Sequence, residues 1–410
     1  MKWFLFLLTI GAVFSAFAQE KDIDAAQSDE SHSTNQDVKW NEFDLGPITM
    51  RLGGGVGVDS ARYFQDDTSK KQMALDNVTA LRDLRVLLKG RFNFAPRWSY
   101  TLGYMYDGAQ DDWRFRQTGL MMDVPEWNGN LFIGRTKEGF SSNKAMVGYY
   151  IWTQERSAAN EAFLPILADG VKWTGRLSEN KVIYNLGLYK ETLTAYESYD
   201  KNNEIGVARG VWLPMYSEED KRVLHLAVEG RYGTAKNGTL QFRSKPESFP
   251  AQDYAVDTGK FKAHSNTIGG VEAYWSPGPL MFGMEYYWNK VNSPSTGNPL
   301  FHGGEIFTAY LLTGEIRKYN KKGGYFEAVS PARSVFSGGP GAWEFVLRAS
   351  YADLDDRKID GGRFSKITPM MNWYLSDNLR LEFVYGYGEL DKNGSHGTLQ
   401  MVSSRIQLIL

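Results

Sequence analysis

Few residues of this chain could carry covalent chemistry. Five histidines, His32, His225, His264, His302 and His396, are scattered without metal-ligand spacing, and cysteine is absent. No G-x-S-x-G, H-E-x-x-H or Walker sequence occurs. Gly53-Gly54-Gly55-Val56-Gly57 looks superficially like a phosphate cradle, but it lies in a strand pattern with no helix after it and better relieves crowding in a sheet. What recurs is charge at alternate positions. Arg85, Lys89, Arg91, Arg231, Arg348, Arg380 and Arg405 fall on the polar faces of their segments, against Asp107, Glu229, Glu285, Glu344 and Glu382. Rows of charge beside water, backed by low-dielectric walls, select ions, and the planar fork of arginine suits oxyanions. Arg231 lies two residues from Glu229, and Arg380 two from Glu382, so those pairs serve equally well as ion pairs holding shape. Arg85, Lys89 and Arg91 form the one basic stripe expected to lack an acidic neighbour on its own strand face.

The elements that must position these charges alternate with period two. Trp98, Tyr100, Leu102, Tyr104 and Tyr106 face one way, and Ser99, Thr101, Gly103, Met105 and Asp107 the other. Leu280–Trp288, Trp343–Tyr351 and Leu379–Tyr387 repeat the pattern. Such alternation marks strands with one apolar and one wet face. Sixteen strands are expected: 46–58, 78–94, 97–108, 114–123, 129–136, 167–175, 181–190, 206–216, 222–233, 265–276, 279–290, 303–317, 341–354, 362–375, 378–390 and 397–410. Gaps after even-numbered strands are short and those after odd-numbered ones mostly longer, as in an outer-membrane barrel with short periplasmic turns and long outside loops. The gap 318–340 breaks the rule: it is either a long periplasmic connection or a miscounted hairpin.

Composition agrees. Of 410 residues, 14% are aromatic and 42 are glycine, with a net charge of −2, which argues against a dedicated nucleic-acid binder. A mean hydropathy of −0.42 argues against a bundle of membrane helices. Residues 1–18 carry Lys2, an apolar run and Ala16-Phe17-Ala18, the pattern of a secretory signal cleaved after Ala18. Residues 19–45 read as an acidic, disordered leader, and 46–410 as the barrel. An open sheet edge is too costly in hydrocarbon, so the last strand must pair with the first, and a ring of about sixteen strands leaves an aqueous channel.

Several short stretches carry a resemblance. Gly134-Arg135-Thr136-Lys137-Glu138-Gly139-Phe140 resembles the GRxKEPF segment of the phosphate-selective porin O and P family, and Glu155-Arg156-Ser157 its ERS step. Phe242–Ser248 is similar to its FRSRPES segment, Leu312–Arg317 to LTGExR, Gly341–Glu344 to GAWE and Asn372–Leu375 to NWYL. The resemblance implies a trimeric outer-membrane channel for small anions such as phosphate or polyphosphate, with a constriction loop at 137–166 folded into the pore. Lys137, Lys144 and Arg156 are then candidate loop contacts for the permeant ion, with Glu138, Glu155 and Glu161 as counterweights, and Arg243 and Lys245 belong at the vestibule. Outer-membrane lipid and, during biogenesis, the barrel-assembly machinery are the partners implied; no cofactor, metal or nucleic acid is. Gly139 replaces the motif's proline, so a more flexible loop start is expected, and the chain ends in Leu410 rather than an aromatic. Inward Tyr287 and Tyr374 keep a general or carbohydrate-type porin open as the alternative, and a barrel adhesin, receptor or hydrolase is the remoter one.

Overall fold

The computed structural model describes residues 40–108, 111–190, 202–219 and 221–410. The expected signal, and the leader up to residue 39, lie outside the described residues. Each alternating segment becomes a strand because successive side chains of an extended chain point to opposite faces. Sixteen long strands result: β1 (Thr49–Gln65), β2 (Val78–Phe92), β3 (Ala95–Asp107), β4 (Asp112–Val124), β5 (Gly129–Thr136), β6 (Ala168–Leu177), β7 (Val182–Lys190), β8 (Asn202–Ser217), β9 (Arg222–Ala235), β10 (Ser265–Ser276), β11 (Leu280–Asn292), β12 (Leu300–Leu311), β13 (Ala342–Asp356), β14 (Ile359–Tyr374), β15 (Leu379–Lys392) and β16 (Ser395–Ile409). Each pairs antiparallel with its sequence neighbours, and β16 returns to β1, in register from Gly55 with Ile409 to Gln65 with Leu399. The wall is therefore a closed antiparallel β-barrel.

The barrel is inside-out for water. Outward Leu188 and Val228 are 73% and 66% exposed, whereas inward Glu285 is 1% exposed. Paired aromatics mark both ends of the apolar band. Trp343 stacks on Trp373 and Trp275 on Phe282 near the short turns, and Tyr104 on Trp113 near the long loops.

The number and order of strands match the sequence reading, but some ends move. β1 runs on to Gln65, past the expected 58: Ser60 and Arg62 interrupt its outward apolar row, but its ladder with β16 continues to Gln65. β12 stops at Leu311, short of 317, where the chain turns ahead of Gly314 at φ +91°. Glu42–Asp44, assigned to the leader, instead pairs with Thr49–Arg51. The gap 318–340 is the long connection: 312–341 leaves the short-turn end, enters the barrel and carries a small hairpin, Tyr319–Asn320 against Tyr325–Phe326.

Three further segments enter or cap the lumen. Helix α1 (Asp67–Gln72) caps the rim, with Asp66 accepting from Ser69 N at 2.6 Å and from Thr398 N at 2.8 Å. The loop 137–167, with α2 (Ser142–Ala145) and α3 (Ala158–Phe163), folds inward. The segment 236–264 closes over α3, where Ala158 N donates to Glu247 at 2.9 Å. Trp152 of the inward loop packs on Phe307 of β12, 4.8 Å between ring centres, and on Phe326 of the hairpin at 5.7 Å. The interior beneath β8–β16 is consequently packed, and space remains along β2–β7.

Candidate functional site

Irregular backbone inside a membrane-depth barrel must find partners for its polar groups. The wall and the 312–341 segment supply them. Arg380 donates to the carbonyls of Tyr149, Ile151 and Trp152 at 3.0–3.3 Å, and Arg317 to that of Tyr150 at 2.6 Å. Gln407 and Asn372 reinforce Tyr149 and Trp152 at 2.9 Å each. Arg405 reaches the carbonyl of Gln154 at 2.7 Å, and Arg348 that of Glu155 at 2.8 Å. The loop is thus a fixed partition.

Two glycines set its course. Gly139 takes φ +79°, a left-handed conformation closed to proline, and turns the chain inward, packed where a Cβ would come within 3.1 Å of Asn185. At Gly55 a Cβ would lie 2.6 Å from Cε2 of Tyr149, so the missing side chain lets that ring lie on the wall. The glycine run in β1 relieves crowding as expected, and what it accommodates is the loop.

Between loop and wall lies a cavity of about 520 Å³. Arg91 of β2, Lys172 and Arg176 of β6, Lys137 of the loop and Lys322 of the hairpin border it, against Asp123. Further out, Arg85 and Arg156 approach one another at Gly148. β-Bulges add to the charge. Gly57 pairs with Asp83 and Val58 with Leu81, so Arg82 and Asp83 both turn inward; a second bulge does the same for Arg116 and Gln117. The convergence shows in Lys137. Burial, and then the cations Arg156, Arg116, Arg85 and Lys172, hold its ammonium well below the usual lysine range. That ammonium donates to the carbonyls of Ala145, at 3.0 Å, and Met146.

Burial also lowers Lys144 to about 7, with Arg156 adding and Glu161 and Glu138 opposing. Arg156 falls to about 10 through burial, despite Glu155 beside it. Glu155 goes the other way: burial raises it, but Arg82 and Arg405 outweigh that and bring it to about 2.

The twelve basic residues singled out in the sequence separate into four groups. Arg85, Lys89, Arg91, Lys137 and Arg156 stand along the open side. The stripe is not free of acid, however: Asp83, two residues from Arg85 on the same face, binds it at 2.6 Å. Lys144 is buried within the loop. Arg231, Arg348, Arg380 and Arg405 are buried: they pair with Glu138, with Glu247 and Glu305, with Glu382, and with Asp59 and Glu155 respectively. In the segment 236–264, Arg243 stacks on Tyr254 at 4.1 Å, and Lys245 donates to Phe249 O at 2.9 Å. Tyr287 and Tyr374 do point inward but are buried against Glu285 and Glu344. Missed in the sequence were Arg82 and Arg116, at bulges, Lys172 and Arg176, on one face of the short β6, and Arg209, one charge in an otherwise apolar row.

Comparison with known proteins agrees with this geometry. The family model described as phosphate-selective porin O and P matches residues 50–409. Porin O of Pseudomonas aeruginosa is 24% identical over 384 residues, covering 84% of each chain. A protein of Caulobacter vibrioides is 30% identical over 203 residues, 48% of this chain but only 40% of its own length. Among solved structures, an anion-selective porin from Comamonas acidovorans superposes with a TM-score of 0.53 over 88% of this chain and 100% of that one, at 11% identity. Its closed wall, infolded loop and family match make this chain an outer-membrane porin of the phosphate-selective porin O and P family.

Proposed function

We propose that the protein passes small inorganic anions, phosphate and short polyphosphates among them, by passive diffusion along the basic side of the loop. The gathering of cations at Lys137 carries this reading: Lys172 donates to its carbonyl at 3.1 Å, Arg156 shares the Met146 carbonyl with it, and Arg85 stands opposite Arg156 at Gly148. Cations brought this close repel one another unless anions screen them, and inside low-dielectric walls that preference is amplified. Arg85, Lys89 and Arg91 on the wall and Lys137 and Arg156 on the loop are the contacts we assign to the ion, with Lys172, Arg176 and Lys322 toward the periplasmic mouth. Lys144 contributes field from within the loop. Arg243 and Lys245 belong to the outer vestibule, and Arg231, Arg348, Arg380 and Arg405 act through the partition they hold. The likeness to porins favours a homotrimer, delivered by the barrel-assembly machinery.

Planar-bilayer recording of the purified porin tests this. A salt gradient is expected to give a reversal potential of anion-selective sign, and added phosphate to reduce chloride current. A cation-selective potential, or chloride current indifferent to phosphate, overturns the reading.

A further inference from the structure

One guanidinium deep in the barrel keeps hydrogens it does not use. Arg209 of β8 is 2% exposed. Its Nε and Nη2 donate to the two oxygens of Glu272 of β10 at 2.7 and 2.8 Å. Nη2 also reaches the carbonyl of Gly324 in the hairpin at 3.0 Å and Ser142 Oγ in the loop at 3.1 Å. Nη1 finds no acceptor among the described residues. The other arginine nitrogens so orphaned there, on Arg85, Arg243, Arg317, Arg348 and Arg380, are Nε atoms with one hydrogen each, whereas Nη1 carries two. A buried N–H without an acceptor has given up its water for nothing, and the loss is greater on a cation.

The surroundings of Arg209 are those of a recess. It borders the cavity of about 520 Å³ between loop and wall, together with Lys172, Thr174 and Asn185. Arg85 and Arg156 meet further out, at Gly148. Thr174, Asn185 and Arg209 are cross-strand neighbours in one inward row over β6, β7 and β8. Thr174 Oγ1 donates to Asn185 Oδ1 at 2.8 Å, so the group of that amide left for other contacts is a donor, Nδ2. Lys172 donates to the Lys137 carbonyl at 3.1 Å and to Thr136 Oγ1 at 3.4 Å, and neither neutralises its charge. Two glycines leave the space open. A Cβ at Gly324 would stand 3.4 Å from Arg209 Nη1, and one at Gly139 would stand 3.3 Å from both Asn185 Cγ and Lys172 Cδ. Hairpin and loop thus each bring bare backbone to the place where the three side chains adjoin.

We propose that Arg209, Asn185 and Lys172 form a second subsite for a tetrahedral oxyanion such as inorganic phosphate, on the periplasmic side of the meeting of Arg85 and Arg156, with Arg209 Nη1 as its central donor. An oxyanion presents several acceptors and can meet a guanidinium edge, an amide and an ammonium together, whereas chloride gains less from directed donors. Glu272 holds the opposite edge of the guanidinium, and Glu229 stands 3.6 Å from its Nε, so part of the charge of Arg209 is already spent. What it offers the ion is direction, and Lys172 supplies the uncancelled charge. The subsite therefore retains oxyanions relative to chloride without setting the sign of the selectivity.

The inference rests on the porin reading, which the wild-type reversal potential tests separately. Chloride current through the purified porin is titrated with inorganic phosphate at about pH 7, and the half-blocking concentration is read. Removing Arg209 would strand Glu272, so the test falls on its neighbours. Asn185→Asp keeps the side chain's shape and sets a carboxylate beside Nη1. It is expected to raise the half-blocking concentration about tenfold or more while the channel stays anion-selective. Asn130→Asp borders the same cavity two strands away, roughly 10 Å from Asn185, and is expected to change it by less than about twofold. An anion-selective wild type whose phosphate block is unaltered in Asn185→Asp, or shifts equally in Asn130→Asp, overturns the subsite and leaves the porin reading standing. If Asn185→Asp does not assemble, Lys172→Met decides: a rise of about tenfold is expected, and an unchanged block overturns the proposal.

Discussion

Arg85 of β2 and Arg156 of the loop meet at one residue, Gly148: a Cβ there would stand 3.8 Å from Nη2 of the first and Nη1 of the second. The two guanidiniums belong to elements separated by more than one full hairpin in the chain. Their approach is a product of how the loop is laid against the wall, and the bare backbone at Gly148 leaves the space between them free.

Gly148→Glu is therefore expected to place a carboxylate between the two cations and cut the anion-to-cation permeability ratio by about fivefold or more, the equivalent of roughly 1 kcal/mol of charge interaction. Gly148→Ala makes only ordinary contacts and is expected to leave the ratio unchanged. Reversal potentials measure both. An unchanged ratio in the glutamate variant would remove Gly148 from the ion's path.

Arginines of the passage and arginines of the partition should fail differently. Arg85→Ala and Arg156→Ala are expected to lower anion conductance and weaken phosphate block while the barrel keeps its heat-resistant electrophoretic mobility. Arg348→Ala leaves Glu247 and Glu305 buried without their cation, a loss of about 3–5 kcal/mol. It is expected to lower the unfolding temperature and make the current noisy. Equal thermal shifts in all three variants would contradict the division.

Acid should loosen the loop at Glu155. Its folded-state value, about 2, lies below the ordinary glutamate value of 4.5. The stabilisation is therefore complete above the ordinary value and fades as the pH falls from there toward 2. Current fluctuations are expected to grow over that interval, and Glu155→Gln to show them already at neutral pH. A quiet Glu155→Gln channel would count against the Arg82–Glu155–Arg405 tie.

Gly55→Leu tests the seat of the loop from the wall side. Its Cβ would come to 2.6 Å from the Tyr149 ring and 3.1 Å from Leu408 O. The ring must shift, taking with it the contact of Tyr149 with Asp83 and its stacking under Arg85 at 3.9 Å. A several-fold change in unit conductance is expected, with the folded barrel retained on unheated gels. Unaltered conductance would mean that Tyr149 does not shape the passage.

The wall was legible because its signal is local. A strand such as Leu280–Asn292 declares both faces within a dozen residues, and the inward direction of Glu285 follows from that alternation alone. Which inward charges meet water was not legible. Arg348 and Arg85 look alike in sequence, yet one is spent on Glu305 of the neighbouring strand and Glu247 of a distant segment while the other borders the passage. That distinction depends on three long segments with no periodicity, 137–167, 236–264 and 312–341, whose seats arise only on folding. Arg82 and Arg116 were hidden for another reason: a bulge adds one residue and defeats the count of two.

The seam where the wall closes also has a consequence for biogenesis. Asp59 of the first strand and Arg405 of the last are cross-strand partners, and the same guanidinium grips Glu155 of the loop at 2.6 Å. That grip cannot form until the final residues have been synthesised and zipped to the initial ones. A half-built ring therefore has no calibrated opening, and the bore acquires its gauge in the act that seals it.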